Sequence, residues 1–248
     1  MAPVRLTSTV QNIPYEVTLH TMPGTPRTGA ETTMFFTVTK EGKPADPAIE
    51  GRLLHAVVAS PSLGTIHHTF PVEEERAGVY RLKETFTEPG AHRVWIEIEN
   101  PTNTPQHGEH SDLTAWADVQ VGGGRTAPSS PSPVPYRVEM EPKTARVGVP
   151  TAFRLKAVDA AGVARPISEI SEPALYAIVG PAEERTYFQH GHTENEPAPS
   201  GTRETATTTR KNTFSTPGQH MLWVVMFIEH EDFQIIPVEH QFPIEVTQ

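Results

Sequence analysis

Histidine is the residue type with the most chemistry to offer in this chain. There are 12 in 248 residues, gathered mainly in turns and at strand ends. The groups are His67-His68, His107 with His110 in QHGEH, His190 with His192 in QHGHTE, and His230 in EHED. Imidazole is the commonest protein metal ligand, and two histidines at i, i+2 on an extended segment project to the same side, where both reach one ion. His190 and His192 have that spacing. His20 and Met22 pair an imidazole with a thioether, a soft combination suited to copper or an ordinary edge-strand segment. His107, His110 and Asp112, like His230, Glu231 and Asp232, follow a Trp-bearing strand; such loops hold zinc or copper(II), or are simply hydrophilic. His92 and His220 each follow a Pro-Gly turn on the apolar side of a strand and are expected to be hydrogen-bonded histidines at the core edge.

Other chemistries find less support. There is no Gly-x-Ser-x-Gly elbow, no His-Glu-x-x-His, no phosphate-binding loop and no dinucleotide fingerprint. Glu73, Glu74 and Glu75 read as a solvated turn, so the chain is expected not to be an enzyme. A net charge of -10, from 30 acidic and 20 basic residues, repels a phosphate backbone, so no nucleic acid partner is expected. The absence of cysteine excludes disulfides and thiolate metal sites and leaves the compartment open. The longest apolar run, Met221 to Ile228, is too short to span a bilayer, and the start lacks a signal-peptide pattern. A soluble chain, not membrane-spanning, with any leader removed, is the expectation.

The elements that must position these residues are strands. Twenty-five prolines, 17 glycines and many threonines and valines favour short strands between turns. The runs Thr33 to Thr39, Leu53 to Ser60, Val79 to Phe86 and Arg93 to Ile98 have the lengths and spacing of a sandwich. His92, Val94, Ile96 and Ile98 face one side of their strand and Arg93, Trp95 and Glu97 the other, which predicts one buried and one partly wet face. The run Met221 to Ile228 is apolar on both faces, as if covered from outside its own sheet.

The chain repeats itself. Pro14-Tyr15-Glu16-Val17 matches Pro135-Tyr136-Arg137-Val138, and Leu54 with Ala56-Val57-Val58 matches Leu175 with Ala177-Ile178-Val179. FTEPGAHRVW, Phe86 to Trp95, matches FSTPGQHMLW, Phe214 to Trp223, with the extra residues in a loop near Glu194 to Arg203. Gly122 to Pro135 is rich in Gly, Ser and Pro and reads as a tether. The expectation is all-β: two tandem immunoglobulin-like β-sandwich domains over 1–121 and 136–248, joined by a flexible linker over 122–135.

The order LLHAVVA, IHHTFP, GVYRLKETFTEPGAHRVWIEI resembles the YtkA-like group of small exported bacterial β-sandwich domains. The resemblance spans roughly residues 50 to 121 and 170 to 246. In that group a strand histidine is followed by a His-x-His-Pro turn, a Gly-x-Tyr/Trp strand and a Pro-Gly-x-Tyr/His strand. His55 takes the strand position and His68 the first turn position in domain one, with Phe70 in place of the second turn histidine. In domain two Tyr176 takes the strand position and His190 and His192 the turn. The resemblance implies export to the periplasm or beyond and a role in handling heavy metals, copper especially.

Two readings follow. In the first, the chain is an exported, non-enzymatic metal-binding module for copper or zinc, with His190, His192, His55 and His68 as ligands. In the second, it is a structural or interaction protein without a cofactor, contacting another envelope protein or self-associating.

Overall fold

The computed structural model describes residues 4–7, 15–46, 54–99, 111–124, 135–167, 174–181, 184–185, 187–192, 194–195, 207–229 and 235–248. Among them there is no helix, and hence none long and apolar enough to cross a membrane. The chain divides into two compact units, Met1–Ser129 and Ser130–Gln248, each a sandwich of two sheets.

Unit one contains β1 (Val4–Thr7), β2 (Tyr15–Met22), β3 (Glu31–Lys40), β4 (Lys43–Pro44), β5 (Leu54–Ala59), β6 (Ile66–Thr69), β7 (Val72–Glu73), β8 (Val79–Thr85), β9 (Gly90–Glu99) and β10 (Ser111–Val121). One sheet runs β1-β2-β3-β8-β7 with β4 on β3, and the facing sheet runs β10-β9-β5-β6. Unit two contains β11 (Tyr136–Glu141), β12 (Thr144–Arg146), β13 (Thr151–Asp159), β14 (Ala174–Gly180), β15 (Tyr187–His192), β16 (Glu194–Asn195), β17 (Thr207–Asn212), β18 (Gly218–Glu229) and β19 (Ile235–Thr247). Its sheets run β11-β13-β17-β16 and β12-β19-β18-β14-β15. The strand pairings of the two units correspond, which is the immunoglobulin-like arrangement the sequence predicts.

Each core is made by the inward residues of alternating strands. Val17, Leu19, Met34, Phe36 and Val38 meet Leu54, Ala56, Val58, Val94, Ile96 and Ile98 in unit one. Val138, Met140, Phe153 and Leu155 meet Tyr176, Ile178, Leu222, Val224 and Met226 in unit two. The duplication reaches the turns. Pro23 and Pro142, each after a cis peptide bond, directly follow β2 and β11 and bring no N–H to the ladder. Four residues later Arg27 bridges Gly122 in parallel, and Arg146 sits in β12, parallel to β19. Gly29 and Gly148, at φ 74° and 72°, then turn each chain so that their N–H groups donate to the carbonyls of Phe86 and Phe214, both at 2.9 Å. Gly122, the first residue of the expected tether, is itself held to unit one: its N–H donates to Pro26 O at 2.8 Å and its carbonyl accepts from Thr28 N at 3.1 Å.

One part of the repeat is corrected. Val57 lies opposite Trp95, and Ala177 lies opposite Trp223. The two tryptophans correspond, so Val57 matches Ala177, and Leu175, not Tyr176, matches His55. The sequence match of Leu54 with Leu175 is out by one residue, which flips every side chain to the other face. Tyr176 points into the core, with the Arg210 guanidinium 4.6 Å from its ring centre.

Candidate functional site

The residues with chemistry in unit one come together on the outer face of the sheet β10-β9-β5-β6. Strand register sets them in rows. His68, Val57, Trp95 and Trp116 form one row across β6, β5, β9 and β10, and Ile66, Ala59, Arg93 and Asp118 form the next. On the other side His55 stands opposite Glu97, which stands opposite Thr114, whose hydroxyl donates to Glu97 Oε1 at 3.3 Å.

This face is drier than the alternation predicts. Trp95 is 1% exposed, Glu97 3% and Arg93 6%, so β9 is buried on both sides and the expected wet face is absent. Val57, Ala59 and Ile66 are fully buried, and His55 is buried with them. Charges in such a place need partners. Arg93 has one in Asp118, with Nε to Oδ1 at 2.9 Å and Nη2 to Oδ2 at 3.0 Å, a two-pronged contact that fixes the guanidinium plane. The same guanidinium lies 3.7 Å from the centre of the Trp116 ring. Trp116 is nonetheless half exposed, as is Phe70 at the opposite end of the sheet.

His55 and His68, 13 residues apart, meet in this face: His55 Nδ1 and His68 Nε2 are 3.1 Å apart, one donating and the other accepting. The Phe70 ring packs on both, with ring centres 4.6 Å from His55 and 5.1 Å from His68. Neighbouring His67 turns the other way, exposed, with Nδ1 3.1 Å from Glu84 Oε1.

In unit two the backbones of His190 and His192 lie in β15 opposite Ala177 and Leu175. They are thus the counterparts of His68 and Phe70, as the turn motif predicts; their side chains lie outside the described residues, and the position of His55 holds Leu175. His107, His110, His230, Glu231 and Asp232, and the side chain of Asp112, also lie outside the described residues. His20 and Met22 are both exposed on the outer side of β2. Among the described residues no group of three or more His, Asp or Glu converges as a metal cage would.

His92 and His220 occupy equivalent buried positions, as expected from the Pro-Gly turns. His92 Nδ1 is 3.5 Å from Gly90 O and packs edge-on against Phe86; His220 Nδ1 donates to Gly218 O at 3.1 Å and packs against Phe214. Burial holds the His220 imidazole below its usual range, against an opposing pull from the Gly218 carbonyl. A Cβ on Gly180 would overlap the His220 ring, so that glycine allows the close approach.

A groove of about 700 Å³ in unit two runs beside β11, lined by Arg137, Lys143, Arg154 and Lys156 together with Glu139 and Glu141. One of its cations, Arg137, is paired with Glu139 at 2.9 Å. His240 at its edge stacks on Phe242 at 4.4 Å, and burial, then Lys143, lowers its pKa.

Sequence reasoning did not single out Arg93, Asp118 or Trp116. Their signal lies in the β10 sequence AWADVQV, where a tryptophan takes a position that alternation assigns to the outer face with Asp118 and Gln120.

A family profile for a domain of unknown function, DUF8832, matches residues 8–108, most of unit one. No curated protein matches the chain. Among solved structures, the chain is similar to the Escherichia coli adhesin FdeC, at 16% identity and a TM-score of 0.29, covering 97% of this chain and 66% of that one. It is also similar to the Yersinia pseudotuberculosis adhesin InvE, at 13% identity and a TM-score of 0.30, covering 96% and 60%. The chain therefore spans about two thirds or less of the length of these adhesin structures.

Proposed function

We propose that this chain is an exported, non-enzymatic structural and interaction protein built from tandem immunoglobulin-like units, and that it contacts a protein partner through the outer face of β10-β9-β5-β6. The observation that carries the reading is Trp116: a half-exposed tryptophan held flat by a guanidinium that is itself clamped by a carboxylate. A large ring fixed before binding has little rotamer freedom left to lose, and tryptophan and arginine are the residues in which interface energy concentrates. The charged groups under the ring, Arg93 and Asp118, are engaged with one another, which fits recognition better than turnover. Kinship with YtkA-like domains belongs to the same proposal, supported by His55, His68 and the Pro-Gly-Ala-His turn into β9.

The test places a photo-crosslinking amino acid at position 116, in the cells that make the protein, with position 241 as control. Gln241 stands opposite Trp223 as Trp116 stands opposite Trp95. A defined protein adduct from position 116 and none from 241 is expected, with Trp116→Ala weakening that partner at least about tenfold. Equal adducts from both positions, or none from 116, would overturn the reading.

A further inference from the structure

The duplication leaves a gap in unit two that a strand fills in unit one. Val17 stands opposite Val38 as Val138 stands opposite Ala157, so β11 is the counterpart of β2. In unit one β1 pairs with β2 along Glu16 to Leu19 and lies beside β10. The matching stretch of β11 is Arg137 to Met140, and the groove of about 700 Å³ runs along it, with His240 and Phe242 of β19 also in its lining. Among the described residues β11 pairs with β13 alone, so its other edge presents unpaired N–H and C=O groups, a template for a further strand. Proteins blunt such edges with prolines, bulges or inward charges. Arg137 to Glu141 has none of these: Val138 and Met140 point into the core, and the register with β13 is unbroken.

We propose that β11 pairs antiparallel with β11 of a second copy of this chain, about a two-fold axis at Val138, joining the sheets β11-β13-β17-β16 of the two copies into one. The charges of the strand argue for this occupant. In that register Val138 meets Val138, Tyr136 meets Met140, and Arg137 of each chain meets Glu139 of the other. Directly opposed residues share a face, so apolar side chains meet on the core side and cation meets anion on the outer side. Lys156 already lies opposite Glu139 within each chain, so the outer row reads Lys156, Glu139 and then Arg137 of the second copy, alternating in sign. A slip by one residue sets the buried Val138 against a charge, and a slip by two sets Glu139 against Glu139 or Arg137 against Arg137. Both charged side chains are about half exposed and lie 2.9 Å apart in the single chain, so they are in place before a second strand arrives. The contact is one strand wide, small for a specific interface, so the dimer is weak and forms at high concentration. This inference is independent of the Trp116 surface, which belongs to unit one.

The experiment is sedimentation velocity of the full chain over a range of concentrations, alone and as Arg137→Glu, Glu139→Arg and Trp116→Ala. The unaltered chain is expected to pass from monomer to dimer as concentration rises. Each charge reversal sets like charges across the two-fold axis and should weaken dimerisation at least about tenfold. An equimolar mixture of the two reversed chains should dimerise again, because each then offers the other the opposite charge at both positions. Mixing repairs neither chain's own ion pair, so its recovery reads contact between chains, and melting temperature shows that each variant is folded. Trp116→Ala should dimerise as the unaltered chain does. A chain that stays monomeric at every concentration, a dimer indifferent to both reversals or lost equally in Trp116→Ala, or a mixture that stays monomeric, as it would if β1 of a second copy took this edge, would overturn the inference.

Discussion

The two units keep the same Phe–His pair between their sheets and differ on the outer face beside it. Phe86 with His92 and Phe214 with His220 are the same device twice: an aromatic ring on a buried histidine whose Nδ1 turns back to a Pro-Gly carbonyl. On the outer faces, Arg93, Asp118 and Trp116 of unit one are replaced by Met221, Pro243 and Gln241, and Trp223 instead donates its Nε1–H to Glu239 at 2.6 Å. The inner Phe–His pair answers to packing, where a change of one methylene is felt; Trp116 and Asp118, exposed on the outer face, are released from that demand and differ between the units. The lesson is to seek function on the outer face of the sheet β10-β9-β5-β6, and stability between the sheets.

The largest expected effect tests whether the inner faces are truly equivalent. Phe86→Ala and Phe214→Ala each delete a ring that is at most 2% exposed, at a cost of about 3–5 kcal/mol. Differential scanning calorimetry should show each variant lowering the transition of its own unit, and a single shared transition lowered equally by both would break the comparison. A smaller effect concerns acid. The folded pKa of His220 is held down by burial, so between the ordinary histidine value of about 6.5 and that lower value the unfolded chain binds the extra proton. Stability is therefore complete above about pH 6.5 and declines as pH falls toward the folded value. His220→Gln should flatten the fall of melting temperature with acid in unit two, and an unchanged slope would count against a buried neutral ring. The smallest effect is that of Arg93→Lys, which loses both the two-pronged contact to Asp118 and the stacking on Trp116. With Asp118 partly exposed to solvent, about 1 kcal/mol is expected by chemical denaturation, with a larger change in the emission of Trp116.

Much of this was legible in the sequence, and what was missed has a physical reason. Strands, turns and duplication follow from alternation and from Pro and Gly, and the shared FxxPGxH pattern marks the inner histidines. The correspondence of His68 and Phe70 with His190 and His192 follows from the turn. The register of LLHAVV against ALYAIV does not, because a strand buried on both faces is apolar throughout and offers no alternation to fix its phase. Arg93 reads, with Trp95 and Glu97, as part of a partly wet face because a charge in a strand ordinarily marks solvent, and nothing in the sequence marks Asp118 as its partner. Their pairing across 25 residues, under a tryptophan, shows only in three dimensions.

The parallel pairing near the start and end of each unit has a mechanical meaning. Tension along the chain draws β12 and β19 past each other lengthwise, so their hydrogen bonds are loaded together in shear instead of being unzipped one by one. Unit two has three residue pairs in that clamp, Thr144 to Arg146 against Glu245 to Thr247. Among its described residues unit one has one such pair, the Arg27–Gly122 bridge. Stretched between its ends in a single-molecule trap, the chain should yield first in unit one and at higher force in unit two, a graded extension under load; the reverse order would locate the resistance elsewhere.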